Sequence, residues 1–89
     1  MLFGRHADET LEQLRGCDPE RHAIAIKRFL DLATDVGQAI DTGWPPPGRL
    51  ARGAYVTMWR DIGLTVTYLP HPDRREVHVV GVLDSGPVV

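Results

Sequence analysis

A chain of 89 residues that is 43% hydrophobic and 25% charged has the composition of one small globular domain with a modest core. Its formal charge is −2, with five Lys or Arg against eight acids in residues 1–44 and five Arg against four acids in residues 45–89. It therefore lacks the basic excess of a protein that binds nucleic acid mainly through phosphates. No apolar run nears the roughly 20 residues that cross a bilayer, and the opening MLFGRHADE lacks the apolar centre of a secretion signal, so a cytoplasmic location without membrane contact is expected.

Leu2 to Arg5 predict a very short first strand, or none. A short helix is expected over residues 7–15, with Leu11 and Leu14 on its apolar side, Asp8 and Glu9 at the positive end of its dipole and Gly16 closing it. Cys17, the only cysteine, lies in the polar link GCDP and reads as a plain thiol. The second helix starts clearly: Asp18 as N-cap, Pro19 at the first helical position and Glu20 in the first turn. His22, Ile26, Phe29, Ala33, Val36 and Ile40 then recur at steps of four and three, widened by Leu30 and Leu32, until Gly43. The spacing predicts one amphipathic helix packed on something flat.

The segment TGWPPPGRL follows. Three prolines exclude helix and favour a stiff, extended connector, with Trp44 expected to cap the core. Three strands are predicted next, over residues 54–60, 64–69 and 76–83, joined by turns at 61–63 and 70–73. Short links make an antiparallel meander. Asp84, Ser85, Gly86 and Pro87 break the last strand, and Val88 and Val89 read as a loose tail. The predicted class is α+β: one domain over 1–89, with helices in 6–42, a connector in 43–49, a sheet in 53–83 and a tail in 84–89. The helices cover one sheet face and leave the other open.

Several stretches carry a resemblance. RHADETLEQL looks like a first helix opened by a polar residue, an alanine and a Leu-x-x-Leu pair. In GRLARGAYVTMWRDIGLTVTYLP, Leu50, Gly53, Tyr55, the turn at 61–63 and Tyr68 fall in order, and REVHVVGVL matches a closing strand. Nearly the whole chain thereby resembles the RelE/ParE toxin superfamily of bacterial toxin–antitoxin systems. The resemblance implies two helices on a twisted antiparallel sheet and a cognate antitoxin as partner. It further implies one of two targets: mRNA in the ribosome, cut by the RelE branch, or DNA gyrase, poisoned by the ParE branch. No metal and no small-molecule cofactor are expected.

On the nuclease branch, basic residues on the open face would stabilise phosphate charge while an RNA phosphodiester is transferred to its 2′-oxygen. Arg49, Arg52 and Arg60 would hold the phosphate, Arg74 and Arg75 would reach the nucleic acid, and His78 or Tyr68 would shuttle protons. Imidazoles titrate near neutrality, which makes His71 and His78 the acid–base candidates, although a half-exposed structural role is the plainer reading of His78. Tyr55 and Tyr68 read more plainly as residues closing the core edge. An acid beside Arg60, at the turn, would pair with it as an ordinary surface ion pair. His6 and His22 lack the convergent partners of a metal site. Two departures bear on the branch: Thr65 stands near the family's third-strand arginine, and Asp84-Ser85-Gly86-Pro87 replace the basic and aromatic residues after the last strand. These departures and the acidic charge support the alternative, a non-catalytic protein-binding module, either a ParE-like gyrase inhibitor or an inactive homologue acting as a scaffold.

Overall fold

A computed structural model of the protein describes residues 1–86; the tail at 87–89 lies outside the described residues. Two helices pack on one face of a five-stranded sheet. The elements are β1 (Leu2–Phe3), α1 (Arg5–Cys17), α2 (Pro19–Thr42), β2 (Arg49–Ala51), β3 (Ala54–Trp59), β4 (Leu64–His71) and β5 (Glu76–Asp84). Sheet order is β1-β5-β4-β3-β2.

The expected antiparallel meander is β3-β4-β5, and the sheet extends beyond it at both edges. β1 pairs parallel with β5, Leu2 facing His78 and Phe3 facing Val79, so the whole sheet is mixed. Two helices lie between β1 and the meander, which gives the chain length to return in the same direction. β2 comes from the predicted connector. Its pairing with β3 is closed by a two-residue loop in which Arg52 and Gly53 both have positive φ, 52° and 82°. That is the loop geometry whose twist matches flanking strands. Both edge strands are short, which limits the open backbone they offer.

α1 runs past Gly16 to Cys17, contrary to expectation. The break falls at Asp18 because the residue before Pro19 is pushed out of helical geometry; Asp18 has φ −148° and ψ 81°. Asp18 then serves both helices. Its amide donates to the Leu14 carbonyl, and its carboxylate accepts the Arg21 amide at 3.3 Å. Gly43, with φ 74°, ends α2 in the left-handed conformation.

The buried line of α2 is Ala25, Phe29, Leu32, Val36 and Ala39, a rotation from the predicted stripe that keeps Phe29, Leu32 and Val36, with Ile40 half-buried against the core. Ile26 and Leu30 face outward, Leu30 being 67% exposed. Phe29 is the centre of the core. Its ring meets Phe3 edge-on at 5.1 Å and Trp59 at 4.9 Å, tying β1 and β3 to the same helix. Leu64, Val66 and Tyr68 of β4 and Val77, Val79 and Val82 of β5 complete it, with Ala7, Leu11 and Leu14 of α1.

A bulge sets the last strand. Thr67 opposes Gly81 and Tyr68 opposes Val79, leaving Val80 as the extra residue. The bulge restores Val82 to the core side after two consecutive outward positions. β4 continues through Pro70 to His71, so its turn is 72–75 rather than 70–73. β5 includes Asp84, where the sequence suggested a break. No helix among the described residues is long and apolar enough to cross a membrane.

Candidate functional surface

Strand alternation assigns the candidates that lie on strands to a face. Core-side residues are Phe3, Tyr55, Thr57, Trp59, Leu64, Val66 and Tyr68. The opposite, open face is laid out in rows by the pairing: Leu2, His78 and Leu69; then Arg49, Val56, Thr67 and Gly81; then Met58, Thr65 and Leu83. Its middle is aliphatic and threonine-rich. Met58 and Leu83 are 54% and 63% exposed.

Tyr68 is on the wrong side for the role of proton shuttle. Its ring is fully buried on the helix side and stacks on Tyr55 at 5.7 Å. Its hydroxyl donates to the Pro47 carbonyl, anchoring the proline connector. Burial, assisted by Tyr55 and the Asp35 charge, pushes its phenol up to about 12. His78 lies on the open face, through the sheet from it.

One end of the open face holds the titratable cluster. His78 Nε2 lies 2.8 Å from Glu76 Oε2, and the His71 and His78 rings are 4.2 Å apart. The hydrogen bond with His78, ahead of the nearby charges of Arg74 and His71, holds the Glu76 carboxyl below its usual range. Arg74 sits in the adjoining exposed turn, its amide donating to the His71 carbonyl.

The arginines are dispersed. Arg52 is at the exposed tip of the β2–β3 loop, and Arg60 follows the far end of β3; at about 3.3 Å per residue, β3 separates them by roughly 17 Å. Arg49 lies on β2, three strand spacings or about 14 Å from His78 on β5. Arg75 ion-pairs with Asp41 of α2 and so pins its turn to the helix. Arg60 does not pair with the neighbouring Asp61, whose carboxylate is taken by Arg28 and lowered by that bond. Arg60 instead borders a hollow of about 300 Å³ with Met58, Thr65 and Ser85. Arg49, Arg52 and Arg60 thus do not converge on one phosphate. Of the five candidate arginines, Arg74 is the one beside the imidazoles.

Three features escaped sequence reading. Glu76 orients His78 from two residues away on the same strand face, a spacing that alternation could have flagged. Arg21, only 14% exposed at its side chain, donates Nε to the Ile62 carbonyl at 2.9 Å and Nη2 to Asp84 at 2.7 Å. It ties the start of α2 to the β3–β4 turn and the end of β5, a contact with no local signal. Trp44, expected to cap the core, is 74% exposed. Cys17 is exposed, and among the described residues no group of three His, Cys, Asp or Glu side chains could hold a metal ion.

Comparison with protein-family models, with curated proteins and with solved structures returned no match.

Proposed function

We propose that the chain is a toxin-like component of a bacterial toxin–antitoxin pair that acts by binding protein rather than by cutting RNA. The reading joins the RelE/ParE resemblance of its motifs to one observation. The open sheet face is aliphatic and threonine-rich at its centre, with its arginines set apart around the rim. Exposed apolar side chains such as Met58 and Leu83 on an open sheet face suit protein contact, whereas phosphoryl-transfer catalysis needs cations converging where charge develops. The element order of short strand, two helices and antiparallel meander supports this reading. The partners are a cognate antitoxin and a cellular target such as DNA gyrase, and the location is cytoplasmic.

A second reading, the ribosome-dependent mRNA endonuclease, is favoured by His71, His78 and Glu76 lying together beside Arg74. There one imidazole would take the 2′-hydroxyl proton as the 2′-oxygen attacks phosphorus, and a protonated group would return a proton to the departing 5′-oxygen.

Induction of the chain alone in a bacterium, with viable counts and mapping of mRNA ends, separates the two. Protein binding predicts growth arrest with intact mRNA, abolished by Met58→Asp with Leu83→Asp and retained in His71→Ala with His78→Ala. Cuts at translated codons, lost in the histidine variant, would replace it with the nuclease. Normal growth with soluble, folded protein would remove toxicity and leave the scaffold.

A further inference from the structure

The helix side of the molecule, away from the open face, carries a second surface feature. Trp44 is more exposed than any other large apolar side chain among the described residues. It does not stand on a loose loop. Pro45, Pro46 and Pro47 fix the backbone that follows it, and the Pro47 carbonyl accepts the buried Tyr68 hydroxyl. Gly48 then turns at φ 101° so close to β3 that an added Cβ would lie 2.6 Å from the Val56 carbonyl oxygen. The indole is thus presented on a rigid ledge, which lowers the ordering cost of binding.

Between this ledge and the last turns of α2 runs a groove of about 630 Å³, lined by Asp35, Gln38, Asp41, Thr42, Trp44 and Pro45. A smaller hollow of about 230 Å³ continues on another side of Trp44 towards Tyr55 and Pro70. The groove's charge has one sign. After Arg28, α2 carries Asp31, Asp35 and Asp41 and no lysine or arginine before its end at Thr42. The carbonyl end of the helix adds partial negative charge. Arg75 bonds Asp41, while Asp35 has no ion-pair partner among the described residues.

An exposed indole and an unpaired carboxylate lining one groove make a receptor for a planar cation. Guanidinium stacks on an aromatic face and donates in its own plane to a carboxylate, which favours arginine over lysine. The groove of about 630 Å³ is larger than one guanidinium needs, and its proline and tryptophan walls suit the flanking residues of a peptide. We propose that it binds an arginine-bearing segment of a partner protein, the guanidinium lying over Trp44 and pairing with Asp35. The inference is independent of the toxin-like reading, since it concerns the other side of the sheet and is tested in vitro.

The test is a titration of the isotope-labelled protein at low salt with acetyl-Gly-Arg-Gly-Arg-Gly-amide, read by amide and indole N–H resonances. The expected result is a saturable shift of the Trp44 indole and the amides around Asp35, with the Trp59 indole unmoved. Trp44→Ala should weaken binding about fivefold or more and Asp35→Asn about threefold. Both side chains are exposed, so unchanged spectra elsewhere will report an intact fold. No shift at Trp44, or undiminished binding by Trp44→Ala, would overturn the proposal. Equal binding of the glutamate counterpart or of an uncharged proline-rich peptide would overturn its charge basis. A Trp44 shift that depends on protein concentration without peptide would assign the groove to a second copy instead.

Discussion

Single residues in this chain acquire their roles from what lies across the sheet. Tyr68 lies in an alternating strand, and its sequence position points to the core edge without saying what its hydroxyl meets. The structure buries it and gives its hydroxyl one acceptor, the Pro47 carbonyl. Tyr68→Phe removes that hydrogen bond while keeping the packed ring, and it should cost about 0.5–1.5 kcal/mol in urea unfolding. Tyr68→Ala also empties the ring's space and should cost about 3–5 kcal/mol, as large aromatic truncations do. Equal losses in the two variants would mean that the ring contributes little. The His78–Glu76 contact was legible in outline, because residues two apart on a strand share a face. The approach of His71 was not, because it depends on β4 extending through Pro70.

At the scale of elements, charged side chains rather than apolar periodicity decide how the helices are fastened to the turns. Arg21 holds α2 to Asp84 of β5, and Arg28 holds it to Asp61. The Arg21 bond, with help from the Gly86 amide, lowers the Asp84 carboxyl from the usual 3.8; Asp61 and Glu76 are lowered likewise by Arg28 and His78. A carboxyl lowered by folding binds fewer protons in the folded state than in the unfolded one. Its contribution is therefore complete above the ordinary carboxylate range and is lost as pH falls through the folded value. Unfolding midpoints measured from pH 7 down to pH 3 should fall most steeply below about pH 5. Asp84→Asn should be less stable at pH 7 and lose less over that acid interval. An acid slope identical to that of the unchanged protein would remove Asp84 from this account. The helix and strand segments themselves were legible from caps, prolines and alternation. The rotation of the α2 stripe was not, since Ile26 and Leu30 satisfy helical periodicity as well as Ala25 and Ala39 do. Tertiary packing chose the small alanines for the sheet side.

For the whole molecule, charge placement matters more than the count of arginines. Arg49 and Arg52 lie near one edge, Arg74 at the β4–β5 turn and Arg60 at the opposite end of the strands, on a chain of net charge −2. A single-stranded RNA laid on one edge would meet about two of these cations. The counterion relation then predicts that its affinity falls only about sevenfold between 50 and 200 mM salt. Fluorescence anisotropy with a labelled oligonucleotide checks this. A loss of a hundredfold or more would show convergent cations and return the nuclease reading to the front.

The sequence by itself determined the class, two helices and a meander, because capping residues, prolines and side-chain periods act within a few positions. It also determined the absence of an internal disulfide and the acidic balance, which need only counting. The tertiary structure alone decided that β1 returns beside β5, that β2 grows out of the connector and that Trp44 faces water. It alone placed Tyr68 and His78 on opposite faces. Each of those outcomes depends on strand register and long-range pairing. A shift of one residue in register exchanges the two faces of a strand, and no local pattern in the chain fixes which distant partner supplies it.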